Sequence, residues 1–254
     1  TEWLQIGSGK TYAHRTHWPL QSLIFITPLL LFYQIATVIH PPWITAPDQA
    51  PPNVVAFVLL TKFFGLFGAA GNILPALAVV AILIGWHLAR KDKWEFQPPL
   101  YAGMAAESLL WAIPIFVIGL ALVRYTPPQA AAAAPPLHPG DLPWQTEVVL
   151  SVGAGIYEEL LFRLIAIILL NILLVDIFEL KAQTAIPLIL ITSAVAFSAY
   201  HYLGNEAFAM GPFLFRTAMG IYLAGIFIYR GFGIVVGAHA VYDILAVTFD
   251  HLHR

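Results

Sequence analysis

The segment 156-IYEELLFRLIAIILLNILLV-175 sets two adjacent carboxylates and a guanidinium in a run that is otherwise apolar. Moving one such charge from water to the centre of a bilayer costs roughly 2.5–3.5 kcal/mol on insertion scales. Glu159 and Arg163 stand i,i+4 with the acid first, the order that stacks an ion pair on one helical face. Glu158 points about 100° away around the helix, so it cannot share that arginine equally. A carboxylate without a partner in lipid finds one elsewhere, takes up a proton or does chemistry.

Two other stretches carry groups that suit such chemistry. In 197-FSAYH-201, His201 lies one turn beyond Phe197 on the same face; in 239-HAVYD-243, His239 and Asp243 are i,i+4. A single membrane histidine is ordinarily a packing residue. An acid or an imidazole on each of three helices asks for a common cause. Glycines accompany two of the three: Gly153 and Gly155 precede the glutamates, and Gly231, Gly233 and Gly237 lead into His239. Small residues let membrane helices approach closely enough to share a site. A catalytic site inside a membrane needs a base and groups that can stabilise developing charge, and this set offers both. Glu158, His201, His239 and Asp243 are also a His/carboxylate set of the kind that binds zinc, so a metal site is the alternative.

The remaining polar residues read as structural. Glu107 and His87 lie in apolar segments without companions, and Arg216 is expected to serve as partner to a glutamate or a carbonyl. Tyr200 and Tyr202 read as an aromatic belt, and Asp250, His251 and His253 as an interface. Residues 7–11, GSGKT, imitate the end of a phosphate-binding loop. The full pattern needs a glycine where Leu4 stands, and no buried strand precedes it, so nucleotide binding is not expected.

The elements that must position these groups follow from composition. Of 254 residues, 59% are hydrophobic and 10% charged, against about 25% charged in soluble domains, so most of the chain has lipid as its solvent. A net charge of −2 offers no basic stripe for nucleic acid, and the absence of cysteine removes disulfides and thiol chemistry. Spans of about 20 apolar residues are expected near 19–39, 73–89, 101–123, 147–175, 184–203, 213–229 and 234–250. The stretch 53–71 is either one more span or a helix in the interface with Lys62 snorkelling. The fold class is therefore all-α, a multi-pass transmembrane bundle of seven or eight helices. The first 18 residues are polar and aromatic, so a cleaved signal segment is not expected. Pro-rich stretches at 40–52 and 126–143 punctuate the chain, the second dividing N-terminal spans (1–145) from a catalytic bundle (146–254). Lys10, Arg15 and the 90–93 cluster point to cytoplasmic loops, which favours the interfacial reading of 53–71.

The ordered set E-E-x-x-x-R, F-x-x-x-H and H-x-x-x-D, spread over roughly 146–250, resembles the CAAX protease and bacteriocin-processing family of intramembrane proteases. The resemblance implies that Glu158 activates a water, that His201 holds it, and that His239 with Asp243 stabilises the oxyanion. It makes Glu159 and Arg163 a structural ion pair. One departure stands out: Asp243 occupies a position where the best-studied branch of the family has Asn, and an ionised carboxylate there would repel an oxyanion unless it is protonated or orients His239.

The expectation is thus an intramembrane endopeptidase with no cofactor, acting on a membrane-embedded or membrane-proximal protein or peptide, in the inner membrane of a prokaryote. Its alternatives are the same fold using zinc through Glu158, His201, His239 and Asp243, and a non-catalytic immunity or scaffold protein. A transporter or proton relay would spread ionisable groups along a path across many spans. Here they concentrate on three C-terminal helices.

Overall fold

A computed structural model describes residues 11–39, 54–69, 71–125, 142–203 and 206–253, with the backbone alone for 122–125. Apart from Thr11, the GSGKT run lies outside the described residues, as do Lys10, all of 40–52 and most of the 126–143 linker.

Among the described residues every element is helical: α1 (Tyr12–Arg15), α2 (Pro19–Ile39), α3 (Val55–Leu66), α4 (Leu74–Arg90), α5 (Pro98–Tyr125), α6 (Trp144–Ile177), α7 (Ala182–Tyr200), α8 (Met210–Arg230) and α9 (Phe232–Leu252). That is what lipid requires, because only helices and closed barrels satisfy their own backbone there. Six of them, α2 and α5 to α9, are long and apolar enough to cross a membrane. The 17 residues of α4 extend about 26 Å, slightly less than a hydrocarbon core of about 30 Å. The ambiguous 53–71 segment yields α3, whose 12 residues reach only about 18 Å, the length of an interfacial or re-entrant segment. Its buried face, Ala56, Phe57 and Leu60, docks on α6, with Phe57 5.2 Å from Tyr157, while Lys62 is exposed.

Helix α9 is the axis of the bundle and packs against α2, α5, α6 and α8. Its first nine residues, Phe232–Ala240, are all buried. Glycines make this density possible. A Cβ on Gly155 of α6 would lie 2.8 Å from the backbone nitrogen of Ala240, so the two helices are in backbone contact. On the other side the Gly233 N–H donates to Ser22 Oγ of α2 at 3.0 Å. Gly231 turns the chain from α8 into α9 at φ +88°, and a Cβ there would strike the Thr16 carbonyl at 2.7 Å.

A polar clasp holds α1 against this turn. Arg230 binds both carboxylate oxygens of Glu107, which also accepts from Tyr12 Oη at 2.7 Å and Trp111 Nε1 at 3.0 Å. The reading of Glu107 as solitary is therefore corrected: its companions come from α1 and α8, 95 and 123 residues away in sequence. Burial, reinforced by Glu107, pushes the Tyr12 hydroxyl up to about 12. His87 has no hydrogen-bond partner among the described residues; it is buried edge-on against Trp94 at 4.5 Å.

Candidate active site

Helix α6 changes pitch within its Glu158–Arg163 charge cluster. Regular α-helix ends at Glu159, and Leu160–Ala166 continue as π-helix, with a second π segment at Ile172–Ile177. Such insertions shift the angular position of every later side chain and recur at functional sites. Arg163 sits in the first of them, fully buried, with Nε 3.0 Å from Glu159 Oε2 and its guanidinium 4.4 Å over the Phe197 ring. Its Nη2 points at the Gly220 carbonyl of α8, 3.5 Å away. The pairing expected from i,i+4 spacing is present.

Glu159 has a second bond that the helical wheel does not suggest. Its Oε1 lies 2.7 Å from Nδ1 of His239. The cause is the neighbouring glycine contact: Gly155 meets Ala240, and one turn further along α6 brings Glu159 level with the residue before Ala240. A carboxylate paired with arginine can only accept, so Nδ1 carries the proton and Nε2 of His239 faces the other way. There it stands 3.8 Å from Glu158 Oε2 and 3.5 Å from Asp243 Oδ2.

His201 arrives at the same carboxylate from α7. That helix ends at Tyr200 and a 3₁₀ turn follows over His201–Leu203. His201 Nδ1 donates to the Phe197 carbonyl at 2.8 Å, and Nε2 lies 4.0 Å from Glu158 Oε2. Both imidazoles therefore present Nε2 to one oxygen of Glu158. The other oxygen, Oε1, accepts a short hydrogen bond from the Tyr200 hydroxyl.

This corrects the belt reading of Tyr200. It is buried, packed on Phe162 at 4.8 Å and on His201 at 4.3 Å. A signal was present: position 200 is three residues past Phe197 and shares the face that places His201. Its neighbour Tyr202 turns away, donating to the Ala209 carbonyl at 3.1 Å.

Glu158, Glu159, Arg163 and His239 are buried. His201 and Asp243 keep 21% and 25% of their side chains open, so the carboxylate pocket reaches an accessible rim. On that rim Arg216 binds Glu206 at 2.7 Å, the acidic partner expected for it. His251, expected at an interface, pairs with buried Glu147 at 2.8 Å and joins the start of α6 to the end of α9. Among the described residues, no three His, Asp or Glu side chains are arranged to hold a metal ion.

Comparison with known proteins adds one finding. A family model described as type II CAAX prenyl endopeptidase Rce1-like matches residues 141–245. No curated protein and no solved structure matches the chain. The matched segment contains Glu158, Glu159, Arg163, Phe197, His201, His239 and Asp243, with the α6, α7 and α9 positions that carry them. Over residues 141–245 the chain is thus similar to the Rce1-like family of CAAX prenyl endopeptidases.

Proposed function

We propose that the chain hydrolyses a peptide bond of a membrane-held substrate with a water activated by Glu158 and without a metal. One observation carries the reading. Glu158 Oε2 is 3.8 Å and 4.0 Å from the two histidine Nε2 atoms, too far for direct hydrogen bonds and suited to a shared water.

In this reading Glu158 takes one proton from the water as its oxygen attacks the carbonyl carbon, and the carbonyl π electrons move onto oxygen. His201 orients the water. His239, protonated on both nitrogens, donates Nδ1–H to Glu159 and Nε2–H to the oxyanion. Glu158 then delivers its proton to the amide nitrogen, the C–N bond breaks, and acid and amine depart. Asp243, 3.5 Å from His239 Nε2, acts as a protonated donor or as an orienting acceptor. Glu159 and Arg163 hold His239 in place.

The test is cleavage by the full chain in proteoliposomes. Its probes are an internally quenched peptide ending in a prenylated CAAX sequence and the same peptide without the prenyl group. Wild type should cut at least one of them and Glu158→Gln neither. No cleavage of either probe by well-folded wild type would favour the immunity or scaffold alternative.

A further inference from the structure

We propose that Tyr200 is a positioning residue for the reaction: its hydroxyl clamps Glu158 so that a single carboxylate oxygen faces both histidines. The inference rests on the protease reading above and adds a residue to it.

A glutamate side chain ends in a broad, roughly two-fold torsion, so nothing intrinsic to Glu158 fixes which oxygen faces the water. The surroundings fix it. Tyr200 Oη donates to Oε1, while Oε2 is the atom nearest both His201 Nε2 and His239 Nε2, at 4.0 Å and 3.8 Å. The phenol is itself held. Its ring rests on Phe162 at 4.8 Å and on His201 at 4.3 Å, and the residue closes the C-terminal end of α7. A rigid ring carrying one donor is a better clamp than a serine or a water, because both of its side-chain torsions are set by packing.

Tyr200 also separates two environments. One face of it lines an apolar groove of about 460 Å³, shared with Leu59, Leu161, Ile165 and Leu203. The hydroxyl end meets the carboxylate. Without the hydroxyl, Oε1 loses the donor it accepts from, and a buried acceptor left unpaired turns elsewhere. The predicted consequence is a carboxylate that samples orientations in which neither oxygen addresses the water between the histidines. That costs turnover and leaves substrate binding intact.

Tyr200→Phe keeps the ring and its packing and removes only the donor. Two measurements on the full chain in proteoliposomes decide the matter. Difference infrared spectra against Glu158→Gln isolate the Glu158 carboxyl band, and Tyr200→Phe should shift that band, a readout that needs no substrate. With whichever quenched peptide wild type cleaves, kcat should fall by about tenfold or more, the scale of losing an aligned base, while KM stays within about twofold. An unmoved band overturns the contact. A shifted band with unchanged kcat, or a change confined to KM, overturns the positioning role. Should wild type cleave neither peptide, the protease reading fails, and with it the positioning role, whatever the band shows.

Discussion

Glu159 Oε1 and His239 Nδ1 lie 2.7 Å apart, while Glu159 Oε2 holds the buried Arg163 at 3.0 Å. One carboxylate thus joins a structural ion pair to the imidazole that borders Glu158. The duties proposed for the adjacent glutamates follow from their bonds: Glu158 Oε1 accepts from Tyr200 of α7, whereas Glu159 bonds Arg163 and His239.

Separating those duties is the first prediction. Glu159→Gln or Arg163→Ala leaves a buried charge uncompensated, at a cost of about 3–5 kcal/mol, and should reduce the yield of monodisperse protein and its melting temperature in detergent. Glu158→Gln is expected to purify like wild type and to have no measurable turnover. Reversed phenotypes would exchange the two assignments.

The second prediction concerns Gly155, whose added Cβ would sit 2.8 Å from both the backbone nitrogen and the Cβ of Ala240. Gly155→Val must push α6 away from α9, with a packing cost of about 1–3 kcal/mol. Because Glu159 and His239 meet one turn away, a displacement of about 1 Å should also cost on the order of a hundredfold in rate. Gly225→Ala is the control: nothing lies within 4 Å of a Cβ there, and an alanine inside a helix should be neutral or stabilising by about 0.5–1 kcal/mol. Equal effects on melting and rate at the two positions would refute the close-approach argument.

Asp243 gives the third. In a metal-free site Asp243→Asn keeps the shape and a hydrogen-bonding partner for His239 and removes negative charge beside the oxyanion. Activity should survive or rise, and chelators should have no effect. In a zinc site the same change removes an anionic ligand, which should lower metal affinity by about tenfold or more. Elemental analysis of purified protein separates the cases: near-stoichiometric zinc that is lost on Asp243→Asn would replace the glutamate mechanism.

The fourth is a pH dependence outside the spans. Burial holds His17 below its ordinary imidazole value of 6.5, although Nε2 donates to the Tyr229 carbonyl at 3.0 Å. Below pH 6.5 the unfolded chain then binds a proton that the folded chain does not, so this contribution is complete above 6.5 and lost as pH falls below it. Melting temperatures between pH 7.5 and 5 should decline more steeply for wild type than for His17→Asn. Parallel curves would show that His17 carries no such linkage.

What the sequence determined is the part ruled by local physics. Apolar length required membrane helices, since no other open backbone is satisfied in lipid. The i,i+4 spacing of Glu159 and Arg163 was enough to pair them, because both ends of that contact lie on one turn. The motif order also singled out Glu158, His201, His239 and Asp243, whose polar atoms meet within 3.5–4.0 Å. Tertiary structure decided the rest. The two-sided bonding of Glu159 depends on how closely α6 and α9 approach, a distance set by Gly155 against Ala240. The partners of Glu107 depend on where α1 and α8 dock, and the clamp of Tyr200 on Glu158 depends on how α7 lies along α6. The π segment at Leu160–Ala166 belongs to the same class. An extra residue per turn has no signature in hydrophobic periodicity, and it forms only where packing on neighbouring helices offsets the poorer local geometry.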